Sequence, residues 1–127
     1  FRSLDADGAE ALDFVALEDW LNDGVPMSGP VALEAFLGWY GDNTPARLNW
    51  KIAGRVVDPA DVTLPTLVII PSRDRIVPPP SAEALAAALP HAETLRVPLG
   101  HVGMMASSNA EKAVWEPLAA WMEETTR

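Results

Sequence analysis

The tightest constraint on this chain is the run Leu67-Val68-Ile69-Ile70, apolar without polar alternation and bracketed by Pro65 and Pro71. It is too short for an ordinary helix and rich in β-branched side chains. That predicts a strand covered on both faces, as in a parallel sheet with helices on either side. Downstream, Ala82 to Leu89 is a strong helix former, with Ser81 placed to cap it and Pro90 to end it. Glu93 to Pro98 then alternates Leu95 and Val97 against Thr94 and Arg96, which predicts a second strand. Strand, loop, helix, strand is a parallel βαβ unit. After it, Ser107-Ser108-Asn109 predicts the cap of a terminal helix with Ala113, Val114, Leu118, Trp121 and Met122 on one side and Pro117 kinking or restarting it.

Upstream the pattern is helical. Asp5-Ala6-Asp7-Gly8 predicts a turn. From Ala9 to Leu21 the spacing of Leu12, Val15, Ala16, Leu17, Trp20 and Leu21 predicts a helix with a broad apolar face, stopped at Asn22-Asp23-Gly24 and Pro26. A second helix follows Ser28-Gly29, with Pro30 in its first turn and Leu33, Phe36, Leu37 and Tyr40 at i, i+3, i+4 and i+7. Between residues 46 and 64 only short extended pieces are expected, around Trp50, Ile52 and Val56-Val57, with a turn over Asp58 to Val62. The five tryptophans are expected mostly in the core.

Composition excludes several classes of function. Nine basic residues against eighteen acidic ones leave a net charge of −9, which argues against a nucleic-acid partner. No apolar run is long enough for a membrane span, so no membrane partner is expected, and a cytoplasmic location is. With zero cysteines, disulfides, thiolate metal sites and a cysteine nucleophile within these 127 residues are all excluded. His91 and His101 share no register with a carboxylate cluster, so neither metal nor cofactor is expected.

The residues that could do chemistry sit just beyond the strands. Asp74 follows the first strand, in Ser72-Arg73-Asp74-Arg75, and His101 follows the second, in Gly100-His101-Val102-Gly103. Parallel strands bring their C-terminal ends to one rim, where open α/β sheets place their sites. Neighbouring strands lie roughly 4.8 Å apart, so two such loops can meet within hydrogen-bond reach. A carboxylate accepting from one imidazole nitrogen fixes the tautomer and leaves the other nitrogen to take a proton from a nucleophile. Gly100 and Gly103 are expected to permit tight turns beside the histidine. Met104 and Met105 follow it directly and are candidates to line a substrate pocket. His91, in a turn beside Pro90, is expected at the surface. No two glycines stand four apart, so the chain holds no G-x-S-x-G nucleophile elbow. Ser72, Ser81, Ser107 and Ser108 are better read as loop and cap residues.

From about Leu17 onward the chain resembles the C-terminal part of the α/β-hydrolase superfamily, and within it the polyhydroxyalkanoate synthases. The segment from Val62 through Asp74-Arg75-Ile76-Val77-Pro78 is similar to their acid loop, of form D-x-I-V-P, and Gly100-His101-Val102 to their histidine loop. Trp20-Leu21-Asn22-Asp23-Gly24-Val25-Pro26 and Tyr40-Gly41-Asp42-Asn43 resemble the segment that caps their active site. Pro79 stands where the synthases usually carry Trp. The resemblance implies Asp74 as triad acid and His101 as general base. It also implies transfer of a 3-hydroxyacyl group from coenzyme A to a cysteine and on to a growing polyester.

The reading is therefore an α/β fold, the C-terminal half of an α/β-hydrolase: a helical cap-like segment over 10–62, then the βαβ unit and terminal helix over 63–127. The expected function is that of the C-terminal portion of a synthase-like acyltransferase acting on an acyl-CoA, with its nucleophile upstream of Phe1 and the isolated chain inactive. Two alternatives stay open: a serine esterase or polyester depolymerase acting on an ester, and a non-catalytic binding or subunit module. The apolar strand's uncovered edge predicts self-association, as a symmetric homodimer.

Overall fold

The computed structural model describes residues 8–126; the turn expected over Asp5-Ala6-Asp7-Gly8 lies outside them, save for Gly8. The fold is mixed α/β with a small parallel sheet. The chain divides into two compact units, with the break between Arg47 and Leu48.

The first unit is helical. Helix α1 spans Ala9–Asn22. Its last turn is closed by the Asn22 side chain, which donates to the Glu18 carbonyl at 2.7 Å. Helix α2, Gly29–Leu33, begins with Pro30 in its first turn, as its fixed φ and missing N–H favour. It continues not as an α-helix but as a π-helix over Glu34–Gly41. The segment closes with Asp42 N–H donating to the Leu37 carbonyl at 2.8 Å and Thr44 N–H to the Gly38 carbonyl at 2.9 Å. Asn43 between them has φ 51°, the left-handed conformation common just past a helix end. Among the described residues of this unit, only Ala11 and Ala35 are buried. Leu12, Trp20, Leu33, Phe36, Leu37 and Tyr40 are all more than 60% exposed. The apolar faces form with the expected spacing, but the expectation that the tryptophans lie mostly in the core is corrected for Trp20, as it is for Trp115 in the second unit.

The second unit opens with a hairpin of β1 (Lys51–Ile52) and β2 (Arg55–Val56). Its tight turn places Ala53 at φ 50° and Gly54 at φ 81°. Asp58 caps the next turn, its Oδ1 accepting from Ala60 N–H at 2.9 Å. Strand β3 (Thr66–Pro71) pairs in parallel with β4 (Ala92–Val97), with Thr66 opposite Ala92 and Pro71 opposite Val97. The strand runs through Pro71 rather than stopping before it. Thr66 N–H donates to the His91 carbonyl and Ser72 N–H to the Val97 carbonyl, so even-numbered residues of β3 face β4. Pro71 is odd-numbered, and its missing donor falls on the free edge, where a sheet tolerates proline.

Helix α3 (Pro79–Ala88) connects the strands. The expected cap at Ser81 is corrected: the helix starts three residues earlier than Ala82, because Pro79 and Pro80 suit a first turn whose N–H groups would be unpaired anyway. Arg96 on β4 pairs with Glu83 on α3 at 2.6 Å, and Glu93 on β4 accepts from the Trp121 indole at 2.8 Å. Residues three apart on a strand point to opposite faces, so α3 and the terminal helix cover the two sides of the sheet. That helix has a π-helical start, Glu111–Trp115, and an α-helical remainder, α5, Glu116–Thr125, with Pro117 in its first turn. Proline clashes with the carbonyl four residues back, and the wider π turn ahead of it relieves that crowding. The expected side-chain cap is absent: Ala113 N–H bonds the Asn109 carbonyl, and no hydroxyl caps the helix. Ile70, Val97, Ala110 and Val114 form the core at 2% exposure or less.

Candidate active site

The rim of the sheet is built by extending the strand ladder into the loops. Ser72 N–H donates to the Val97 carbonyl at 2.8 Å and Arg73 N–H to the Leu99 carbonyl at 3.0 Å. These bonds hold the loop after β3 against the loop after β4. Asp74 N–H then turns back to the Pro71 carbonyl at 3.2 Å, which aims the carboxylate inward.

Asp74 is the one buried charged residue among those described, its side chain 2% exposed. Both its oxygens are engaged. Oδ1 accepts from the backbone N–H groups of Ile76 at 2.8 Å and Val77 at 2.9 Å. Oδ2 lies 2.8 Å from His101 Nδ1. The spacing of the Asp-x-Ile-Val-Pro run acquires a physical meaning here, because the amides two and three residues after the acid anchor it and Pro78, which has none, leads into α3. Desolvation pushes the Asp74 carboxyl up, but hydrogen bonds from His101, Val77 and Ile76, with the charge of His101, outweigh it. Together they hold the group below its ordinary 3.8.

His101 is half-buried, with 37% of its side chain exposed. With Nδ1–H donated to the ionised Asp74, Nε2 carries the lone pair, and it has no hydrogen-bond partner among the described residues. The arrangement can therefore accept a proton at Nε2 and stabilise the imidazolium that results. The two glycines are not needed for the turn: neither Gly100 nor Gly103 has positive φ, and a Cβ on Gly100 would meet only the Arg73 carbonyl at 3.7 Å, an ordinary contact. Met104 and Met105 lie on a short helix, α4 (Gly103–Ala106), one turn beyond the histidine. Met104 is half-buried, while Met105 is 53% exposed. His91 is exposed at the opposite end of the sheet. No group of residues among those described could hold a metal ion. Nor is any described helix long and apolar enough to cross a membrane.

Sequence reasoning singled out the acid and the histidine but missed the amides of Ile76 and Val77. The signal was present as two residues able to donate between the acid and a proline that cannot.

Comparison with known proteins gives one consistent result. The chain is 30% identical over 115 residues to the poly(3-hydroxyalkanoate) polymerase subunit PhaC of Thiocystis violacea, covering 88% of this chain and 32% of that one. It is 29% identical over 121 residues to the PhaC of Synechocystis sp., covering 93% of this chain and 32% of the relative. To the PhaC of Haloarcula marismortui it is 25% identical over 114 residues, covering 88% and 24% respectively. The chain thus spans about a quarter to a third of the length of the curated relatives it matches. No family model and no solved structure matches it. The resemblance to polyhydroxyalkanoate synthases, read first from the acid and histidine loops, is borne out along nearly the whole chain.

Proposed function

We propose that this chain is the acid-and-histidine portion of a synthase-like acyltransferase with an α/β-hydrolase core. Its nucleophile is supplied by protein outside these 127 residues. The observation that carries the reading is the 2.8 Å contact between His101 Nδ1 and a buried Asp74 whose other oxygen is fully occupied. Asp74 fixes the tautomer. His101 Nε2 takes the proton from a thiol as the sulfur attacks the thioester carbonyl of a 3-hydroxyacyl-CoA. It returns that proton to the departing coenzyme A thiolate, leaving the acyl group on the enzyme for transfer to a polyester end. Residues 10–62 act as a cap-like segment whose exposed apolar side chains suit an acyl path, and Met104 and Met105, beside the histidine in the sheet unit, line an acyl pocket.

The chain contains no cysteine, and its matched relatives are three to four times longer. The decisive test joins this segment to its nucleophile-bearing partner segment and follows coenzyme A release. Asp74→Asn is expected to lower turnover by about 10⁴-fold, the scale seen when such an orienting group is spoiled, and His101→Ala by more. The isolated chain is expected to be silent; turnover by it that His101→Ala abolishes would refute an external nucleophile. A Gly-x-Cys-x-Gly elbow in the adjoining reading frame is expected, and Gly-x-Ser-x-Gly there would convert the reading to an esterase.

The free edge of β3 offers the N–H groups of Leu67 and Ile69, which have no partner among the described residues. As an isolated chain the protein is expected to cover that edge by pairing with a second copy. Sedimentation showing a well-folded monomer at all concentrations would overturn this.

A further inference from the structure

The rim that carries Asp74 and His101 differs in charge from the rest of the molecule. The chain has eighteen acidic residues and nine basic ones. Across the two rim loops, 71–78 and 98–109, the sole carboxylate is Asp74, which is buried and hydrogen-bonded through both oxygens. Arg73 and Arg75 flank it, and both are exposed. The exposed carboxylates of this unit lie elsewhere. Asp61 precedes β3, Glu93 is the second residue of β4, and Glu111, Glu116, Glu123 and Glu124 are on the terminal helix. Arg96 is neutralised by Glu83, whereas neither the Arg73 nor the Arg75 side chain has a hydrogen-bond or ion-pair partner among the described residues.

Exposed arginines are usually solvated and idle. This pair differs in being rooted. Arg73 is tied through its backbone to Leu99, and the residue between the two is held by four hydrogen bonds. Two exposed arginines thus immediately precede and follow the acid in the loop, with no exposed carboxylate on either rim loop to compete for them. Arginine presents a planar fork of donors that matches phosphate oxygens bidentately. A neutral ester carries no anionic oxygens to match it.

We propose that Arg73 and Arg75 bind the phosphate groups of the acyl donor's carrier, so that the rim selects acyl groups delivered on a phosphorylated thiol. The inference rests on the acyltransferase reading and names the part of the donor this chain recognises. The test is a titration of the whole ¹⁵N-labelled chain with coenzyme A and, separately, with pantetheine, which lacks the phosphates. Amides of residues 72–77 and 99–103 and the arginine side-chain N–H signals are followed by NMR. Coenzyme A is expected to shift these signals saturably, with apparent affinity reduced at least tenfold in the Arg73→Gln/Arg75→Gln double variant and falling as salt is raised. Pantetheine is expected to leave both proteins unchanged. Equal affinity in the two proteins overturns the inference, as does an absence of coenzyme A binding by the unsubstituted chain. None of these readouts requires proton transfer by His101 or the presence of the nucleophile. Failure here is therefore distinguishable from failure of the acyltransferase reading, which His101-dependent turnover of an acyl-pantetheine by the joined protein tests by itself.

Discussion

In the helical unit, Leu33, Phe36, Leu37 and Tyr40 recur at helical spacing and are each more than 60% exposed; in the sheet unit, Ile70, Val97, Ala110 and Val114 come from two strands and the terminal helix and are at most 2% exposed. The first set is the more regular pattern, yet it buries less. Periodicity specifies which side chains share a face, but what covers that face is a property of tertiary partners. In the sheet unit the partners are present: a parallel ladder, with a helix anchored on each side by Glu83–Arg96 and Trp121–Glu93. Among the described residues of the helical unit, only the alanines Ala11 and Ala35 are buried.

The largest effect that separates the two regions is on stability. Ile70→Ala removes a fully buried side chain and is expected to cost about 2–5 kcal/mol by urea unfolding. Phe36→Ala, at a site 65% exposed, is expected to fall within about 0.5 kcal/mol of the parent. A cost for Phe36→Ala comparable to that for Ile70→Ala would break the contrast, because it would mean that the helical face is covered in solution. Repeating both measurements across protein concentrations then shows whether a second copy supplies the cover.

The same contrast explains what could be read in advance. The parallel pair was legible because an unbroken apolar run and an alternating one, separated by an alanine-rich helix, leave few other arrangements. The placement of Asp74 and His101 on one rim follows from strand direction alone. The start of α3 was not legible at the right residue, because Pro79 and Pro80 open its first turn behind Pro78 while Ser81 looks like a better cap in isolation. The π-helical stretches at Glu34–Gly41 and Glu111–Trp115 were not legible either, since a register of five differs from one of four only in hydrogen bonds that leave no mark on composition.

A second effect sharpens the contrast through acid. Asp74 is held below its ordinary 3.8 in the folded chain, so the unfolded state binds its proton more readily. Its contribution to stability is therefore fully present above the unfolded value and is lost as pH falls through the lower folded value. The expected result is a urea midpoint for the sheet unit that drops as pH is lowered from about 5 to below the ordinary aspartate range. In Asp74→Asn, which cannot titrate there, part of that drop should vanish. An unchanged acid slope in the variant would mean that the 2.8 Å contact with His101 and the two amide bonds do not favour the ionised carboxylate.

The smallest effect contrasts two left-handed turns. Asn43, ending the helical unit's π segment, has φ 51°, and Ala53, in the β1–β2 hairpin, has φ 50°. Asparagine tolerates this conformation because its short polar side chain bonds locally, whereas alanine brings its Cβ against the following carbonyl oxygen. A two-residue hairpin turn with positive φ at both central positions favours Asn-Gly, and here Ala53 stands before Gly54. Ala53→Asn is therefore expected to stabilise the sheet unit by about 0.5–1 kcal/mol, and Asn43→Ala to destabilise the helical unit by a similar amount. Opposite signs at nearly equal φ are the point of the pair: the backbone demand is the same and only the residue supplied differs. If both substitutions shift the thermal midpoint in one direction, side-chain contacts rather than backbone conformation govern at least one of the two turns.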